Sequence, residues 1–174
     1  MILFLKAHHL AFFNKPSEAQ LRAGNYRKDK VDFQGLPVSI ENPRGSLRQG
    51  IDPGGQAWST GMTHHYGYIR GTLGTDGDHF DCFIGPQGNA PHAYIITSMK
   101  PPEFTERDEQ KAMLGFPHEE AALQAFSDNY DDPRFFGGCV TMPMAEFKAK
   151  VMRTRESPDF IKAIPLLFIR EVVV

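Results

Sequence analysis

The stretch Tyr66-Gly-Tyr-Ile-Arg-Gly-Thr-Leu-Gly-Thr-Asp-Gly-Asp-His-Phe-Asp81 constrains this chain most, because three acids fall within six residues directly after a β-type run. Clustered carboxylates repel one another, so a fold that assembles Asp76, Asp78 and Asp81 calls for a divalent cation between them. Oxygen-only ligands favour Mg²⁺, Mn²⁺ or Ca²⁺ over zinc. Gly77 permits a tight turn between the first two acids, and the apolar Phe80, Cys82, Phe83 and Ile84 return the chain to a core. The acids are therefore expected at the rim of a rigid strand. The plainer alternative is a solvated acid-glycine-acid turn. An EF-hand loop does not fit, since the twelfth position counted from Asp76 is Gln87.

Length and charge set the outer bounds. A chain of 174 residues suits one domain with a real core. Lys and Arg total 19 against 21 acids, a formal net charge of −2, which leaves no electrostatic footprint for nucleic acid or an anionic membrane. No stretch approaches the roughly 20 apolar residues of a membrane span. The opening run Ile2 to Leu5 is too short for a signal peptide and reads as a strand or docking arm. His8 and His9 are adjacent and cannot share a helix face as a metal pair would. Cys82 and Cys139 lie far apart in apolar settings, which points to free thiols and a reducing cytoplasm.

Along the chain, Ser17 to Ala23 fits one or two helical turns, and Asn25 to Lys30 is a basic turn at the domain edge. Val31 to Ile40 predicts a β-hairpin turned at Gln34-Gly35, with Glu41 ending its second strand. Ile51 to Gln56 reads as another hairpin turn, leading into Ala57-Trp-Ser-Thr. His92 to Ser98 is expected as a buried strand and Lys111 to Phe116 as its antiparallel partner. Between them lies the charge-rich Glu103 to Lys111. Pro117 to Tyr130 has the period and acidic start of an amphipathic helix, Gly137 to Thr141 reads as a last core strand, and Ala145 to Met152 as a second helix. His64 and His65 are candidates to line a cleft, while His79 is assigned nothing beyond the turn.

Together, Tyr66-Gly-Tyr-Ile, Thr72-Leu73 and Asp76-Gly-Asp-x-Phe-Asp81 resemble the signature of family I soluble inorganic pyrophosphatases. Val38-Ser-Ile-Glu-Asn-Pro43 resembles the strand that carries an active-site glutamate in that family. The region from about Gly24 to Lys150 is similar to the short pyrophosphatase-like domain of phage and mobile-element (polyvalent) proteins. The resemblance implies a mainly β, α+β fold: a small OB-like antiparallel barrel of five or six strands with two flanking helices. The divisions expected are an N-terminal arm (1–23), the pyrophosphatase-like domain (24–152) and an apolar C-terminal extension (153–174). That extension would pack on the domain, pair with Ile2 to Leu5, or contact another subunit.

The resemblance also implies roles. Asp76, Asp81 and Glu109 would hold two Mg²⁺ ions, with Mn²⁺ as a substitute, Asp108 as an equally near candidate ligand and Glu41 orienting from the outer shell. Asp78 would accept a proton from the attacking water. Arg48, Arg44, Lys111 and Tyr66 would bind phosphate, as would Tyr130. The family's basic residues near Gln56 and at Asp131 are absent; Arg70 and Arg134 are the nearest replacements. The implied activity is metal-dependent hydrolysis of inorganic pyrophosphate, a small anionic substrate. Two alternatives stand beside it: hydrolysis of a nucleotide-type diphosphate, and a catalytically weak scaffold or virion-associated phage protein using its apolar termini for attachment or homo-oligomer contacts. The expected location is the cytoplasm, that of the host if phage-encoded, with the virion as alternative.

Overall fold

The computed structural model of the chain describes residues 17, 19–20, 26–52 and 54–162. The expected strand at Ile2 to Leu5, the residues His8 and His9, most of the helical turn from Ser17, and the extension from residue 163 onward lie outside these. The strands are β1 (Asp29–Phe33), β2 (Leu36–Asn42), β3 (Leu47–Ile51), β4 (Ala57–Gly61), β5 (His65–Ile69), β6 (Phe80–Ile84), β7 (His92–Met99), β8 (Arg107–Leu114) and β9 (Phe136–Pro143). Helices α1 (Glu119–Ser127) and α2 (Met144–Arg153) flank them, with a short 3₁₀ turn at Pro133–Phe135.

Seven strands form one sheet in the order β1-β2-β5-β6-β8-β7-β9, and β3 and β4 make a separate two-stranded ribbon. The fold is mainly β with helices, as expected, but the closed antiparallel barrel is not what these hydrogen bonds form. The order ends at β1 and β9, and β6 lies parallel to β8. The cause is topological: after β6 the chain skips one position to lay down β7, and β8 fills the gap antiparallel to β7. It therefore runs in the direction of β6.

Local chemistry explains most element boundaries. Gln34 and Gly35 both have positive φ (51° and 88°), the mirror-image turn whose twist suits a two-residue hairpin. The His118 side chain accepts from the Ala121 N–H at the start of α1, and Glu119 and Glu120 face the positive end of the helix dipole. In α2, Met144, Phe147 and Val151 recur at helical spacing and are buried.

Period-two alternation gives the sheet two apolar faces. On one, Val38, Ile40, Ile69, Cys82, Ala112 and Leu114 pack with Phe147 and Val151 of α2. On the other, Tyr66, Phe83, Tyr94, Ile96 and Met113 pack with Ala122 and Phe126 of α1. Ile161 joins the first core and is clamped by Gln110, which donates to its carbonyl at 3.1 Å and accepts from its N–H at 2.7 Å. Cys82 and Cys139 are free thiols. Among the described residues, no helix is long and apolar enough to cross a membrane.

Candidate active site

The site grows from three adjacent strands. Tyr68 lies opposite Asp81 across β5 and β6, and Asp81 lies opposite Lys111 across β6 and β8. Paired residues share a face, and alternation adds Tyr66 on β5 and Glu109 on β8 to that same face. Four functional side chains from three strands thus meet on the α1 side of the sheet.

Gly67 makes this approach feasible. A methyl group there would collide with the Ser39 carbonyl oxygen and stand 2.9 Å from Ile40 Cα. β2 has a register shift at this point, between Ile40 and Asn42. The glycine between the two tyrosines lets β5 seat against that irregular stretch of backbone.

Lys111 is the hub, with only 1% of its surface exposed. Its Nζ donates to Asp81 Oδ2 at 2.9 Å, Glu109 Oε1 at 2.8 Å and the Tyr66 hydroxyl oxygen at 3.2 Å. An ammonium has three donors, so all are engaged. Burial alone would lower its pKa, but Tyr66, Tyr130, Asp81 and Glu109 outweigh it and hold the group well above the ordinary lysine value. The Tyr66 hydroxyl donates to Asp81 and also accepts from Arg48 Nη2 at 3.4 Å. Burial raises this phenol far above its usual range, so it stays protonated. Arg48 reaches in from the β3–β4 ribbon between two rings, its guanidinium carbon 4.4 Å from the Tyr66 centroid and 5.4 Å from that of Trp58.

Burial also raises the Glu109 carboxyl; Lys111 opposes the shift, while Asp81 and Asp76 add to it. Asp76 and Asp78 themselves occupy an exposed turn. It is closed by Gly74 N–H to the Asp78 carbonyl at 2.6 Å and by Asp78 N–H to Asp76 Oδ1 at 3.2 Å, with Gly77 at φ 91°. Among the described residues, no three acids, histidines or cysteines gather closely enough to hold one ion together. Between Asp81 and Glu109 stands the Lys111 ammonium instead. The acids offer only carboxylate oxygen, the donor type that suits a hard divalent cation.

Other expected residues are placed elsewhere. Glu41 is paired with Lys28 at 2.7 Å, and Lys28 also sits 5.0 Å over the Tyr68 ring, against which His79 stacks. The basic turn and His79 thereby support the Glu41 edge of the site, which the sequence did not reveal. Arg70 is tied to β2 through the Val38 carbonyl and Ser39 Oγ. Arg44 is exposed, with its backbone N–H on His65 Nδ1. His65 is the first residue of β5, and His64 packs on Phe116 at 5.0 Å.

A cleft of about 1390 Å³ opens beside the cluster, lined among others by Arg48, Trp58, Asp108, Glu109, Tyr130 and Arg134. Arg134 is bound to Asp132 at 2.6 Å and lies 4.5 Å over the Phe104 ring. Gln56 is exposed and does not line the cleft, whereas Asp131 does. Tyr130, expected to bind phosphate, does line the cleft, but the rings of Trp58, Phe104 and Phe135 beside it were not anticipated, since each stands isolated among polar residues or carries no motif in the sequence.

A family model described as inorganic pyrophosphatase matches residues 18–152. The chain belongs to the inorganic pyrophosphatase family. A comparison with curated proteins found no match. Within the matched region a buried lysine, a phenol and an arginine lie beside two carboxylates next to the cleft.

Proposed function

We propose that the chain hydrolyses inorganic pyrophosphate to two phosphates. The observation that carries this reading is that Lys111 joins Asp81, Glu109 and Tyr66 beside the cleft while Arg48, on the cleft wall, reaches the same Tyr66 hydroxyl. Family membership supports the same substrate.

Asp76, Asp81 and Glu109 are the residues we assign to Mg²⁺ or Mn²⁺, with Asp108 beside them and Glu41 behind. A divalent cation supplies Lewis-acid charge to phosphate oxygens and acidifies water. Arg48 offers a fork to one phosphate, and its charge is permanent. Lys111 exchanges at least one of its three present partners for a phosphate oxygen. Tyr66, kept protonated, donates without adding charge. Tyr130 lines the far wall and offers its hydroxyl, while Arg134 there is held by Asp132, Arg70 is held by β2, and Arg44 stays exposed, so none of these three arginines replaces the absent basic residues in the present arrangement. Asp78, exposed on its turn, takes the proton of the attacking water. The new P–O bond forms in line as the bond to the bridging oxygen breaks, and two phosphates result. The resemblance supports the short phage-type form, and the free thiols Cys82 and Cys139 support a reducing cytoplasm.

The test is phosphate release from pyrophosphate by the purified chain with Mg²⁺, with and without chelator, beside Asp78→Asn. The expected result is metal-dependent release reduced by about 10²–10⁴ in the variant. Normal turnover by Asp78→Asn would remove Asp78 from the role of base. No release by a folded chain that binds Mg²⁺ would favour the scaffold alternative.

A further inference from the structure

The cleft is far larger than pyrophosphate requires. Pockets of about 300–1,000 Å³ already enclose drug-sized ligands, and this one measures about 1390 Å³. Its two ends also differ in chemistry. Arg48 and Glu109 mark the end at the phosphate-binding cluster. The remainder is lined by the rings of Trp58, Phe104, Tyr130 and Phe135, together with Asp52, Asp128, Asp131 and Asp132.

Three of these rings form a connected wall. Phe135 stands 4.8 Å from Tyr130 and 4.9 Å from Phe104, the latter edge-on at 84°. Trp58, 38% exposed, comes from the β3–β4 ribbon. Phe104 is held at φ 55°, a left-handed conformation that a bulky side chain rarely adopts and that glycine would take freely. Residues kept in such conformations cluster at active sites, ligand clamps and switch regions. The charges point the same way. Arg134 is already neutralised by Asp132, so a second polyanion finds carboxylates on this side of the cleft and few free cations. Sugar hydroxyls, by contrast, find acceptors there.

We infer that the cleft takes nucleoside 5′-diphosphates, with the anhydride at Arg48 and Lys111, the ribose among the carboxylates and the base on the wall around Phe104. This rests on the anhydride-hydrolase reading above and names a further substrate class for that site. Water attacks the terminal phosphorus and gives its proton to Asp78. The bridging P–O bond breaks with its electron pair left on the nucleoside monophosphate, and inorganic phosphate is the second product.

Trp58 is the only tryptophan in the chain, so its fluorescence reports occupancy of the cleft directly. The experiment titrates the full chain with ADP and separately with pyrophosphate, in Mg²⁺, and follows hydrolysis of each. ADP is expected to quench Trp58. Phe104→Gly, which suits the local backbone, should weaken ADP binding about tenfold through lost stacking while leaving pyrophosphate affinity, turnover and melting temperature in place. Phe104→Tyr should restore ADP binding. Absence of quenching by ADP, or equal losses for ADP and pyrophosphate in Phe104→Gly, overturns the inference. Pyrophosphate cleavage with ADP neither bound nor cleaved overturns this inference alone. ADP cleavage with pyrophosphate untouched supports it and overturns the pyrophosphatase reading.

Discussion

Two parts of the acid signature sit in opposite physical settings. Asp81 lies on β6, hydrogen-bonded to Tyr66 and paired with a lysine that is 1% exposed. Asp76 and Asp78, only a few residues upstream, lie on an exposed turn. The first setting is preorganised, since three strands fix the register of every group in it. The second leaves its carboxylates to water. The contrast separates side chains held by strand register from side chains on a turn that, Asp76 Oδ1 apart, make no bond to the fold.

The largest effect expected from that contrast is on turnover rather than folding. Asp78→Asn, predicted above to lose about 10²–10⁴ in rate, should leave stability within about 0.5 kcal/mol, because the Asp78 side chain makes no hydrogen bond among the described residues. Denaturant titration beside the rate measurement checks both halves. A destabilised Asp78→Asn would show that the turn contributes to the fold after all.

Lys111→Met should show the reverse balance. It keeps the aliphatic bulk but leaves Asp81 and Glu109 without their ammonium. Breaking a buried ion pair costs about 3–5 kcal/mol; with side-chain exposures of 20% and 23% on the two carboxylates, a loss of about 2–4 kcal/mol is the discounted expectation. That corresponds to a melting-temperature drop of roughly 5–15 °C. An unchanged melting curve would mean the two carboxylates do not depend on Lys111 to stay in place.

Gly67→Ala tests the backbone support of the strand-borne half. Its added methyl meets Ser39 and Ile40 backbone, which cannot rotate away as a side chain could. Overpacking of this kind costs about 1–3 kcal/mol. Tyr66, the preceding residue, should be displaced as β2 and β5 separate, with a parallel loss of turnover. Wild-type stability and rate in Gly67→Ala would show that the β2–β5 pair yields at no cost.

Much of the fold was legible because it follows from short-range patterns. The hairpin at Gln34-Gly35, the buried β7, the helix after Pro117 and the acids of Asp76 to Asp81 all announce themselves within a few residues. The meeting of Asp81 with Lys111 does not. It depends on β8 inserting parallel to β6, a choice made by long-range topology that leaves no local trace. Asp108 and Glu109 lie ahead of the strand expected from Lys111, although they belong to β8, which begins at Arg107. The partners of each arginine were equally invisible. Arg48 is sandwiched because Trp58 lies against Gly50 across the ribbon, while Arg70 turns to β2 and Arg134 to Asp132. Composition marks a guanidinium as available; only the fold decides what it pairs with.

The smallest expected effect lies at the margin between the two settings, in His64. Its ring packs on Phe116, and burial, with Arg44 next, lowers its pKa below the ordinary histidine value; Asp128 opposes them and His65 adds slightly. A lowered folded-state pKa means that the unfolded chain takes up the proton first. Stability from this group is therefore fully present above the unfolded value of about 6.5 and declines as pH falls from there toward the folded value. His64→Phe keeps the aromatic contact and removes the titration. The slope of stability against pH below about 6.5 should become shallower in the variant, with His65, lowered for similar reasons, supplying part of what remains. An identical slope in the two proteins would place the acid sensitivity elsewhere and show His64 to be as open to water as the turn acids.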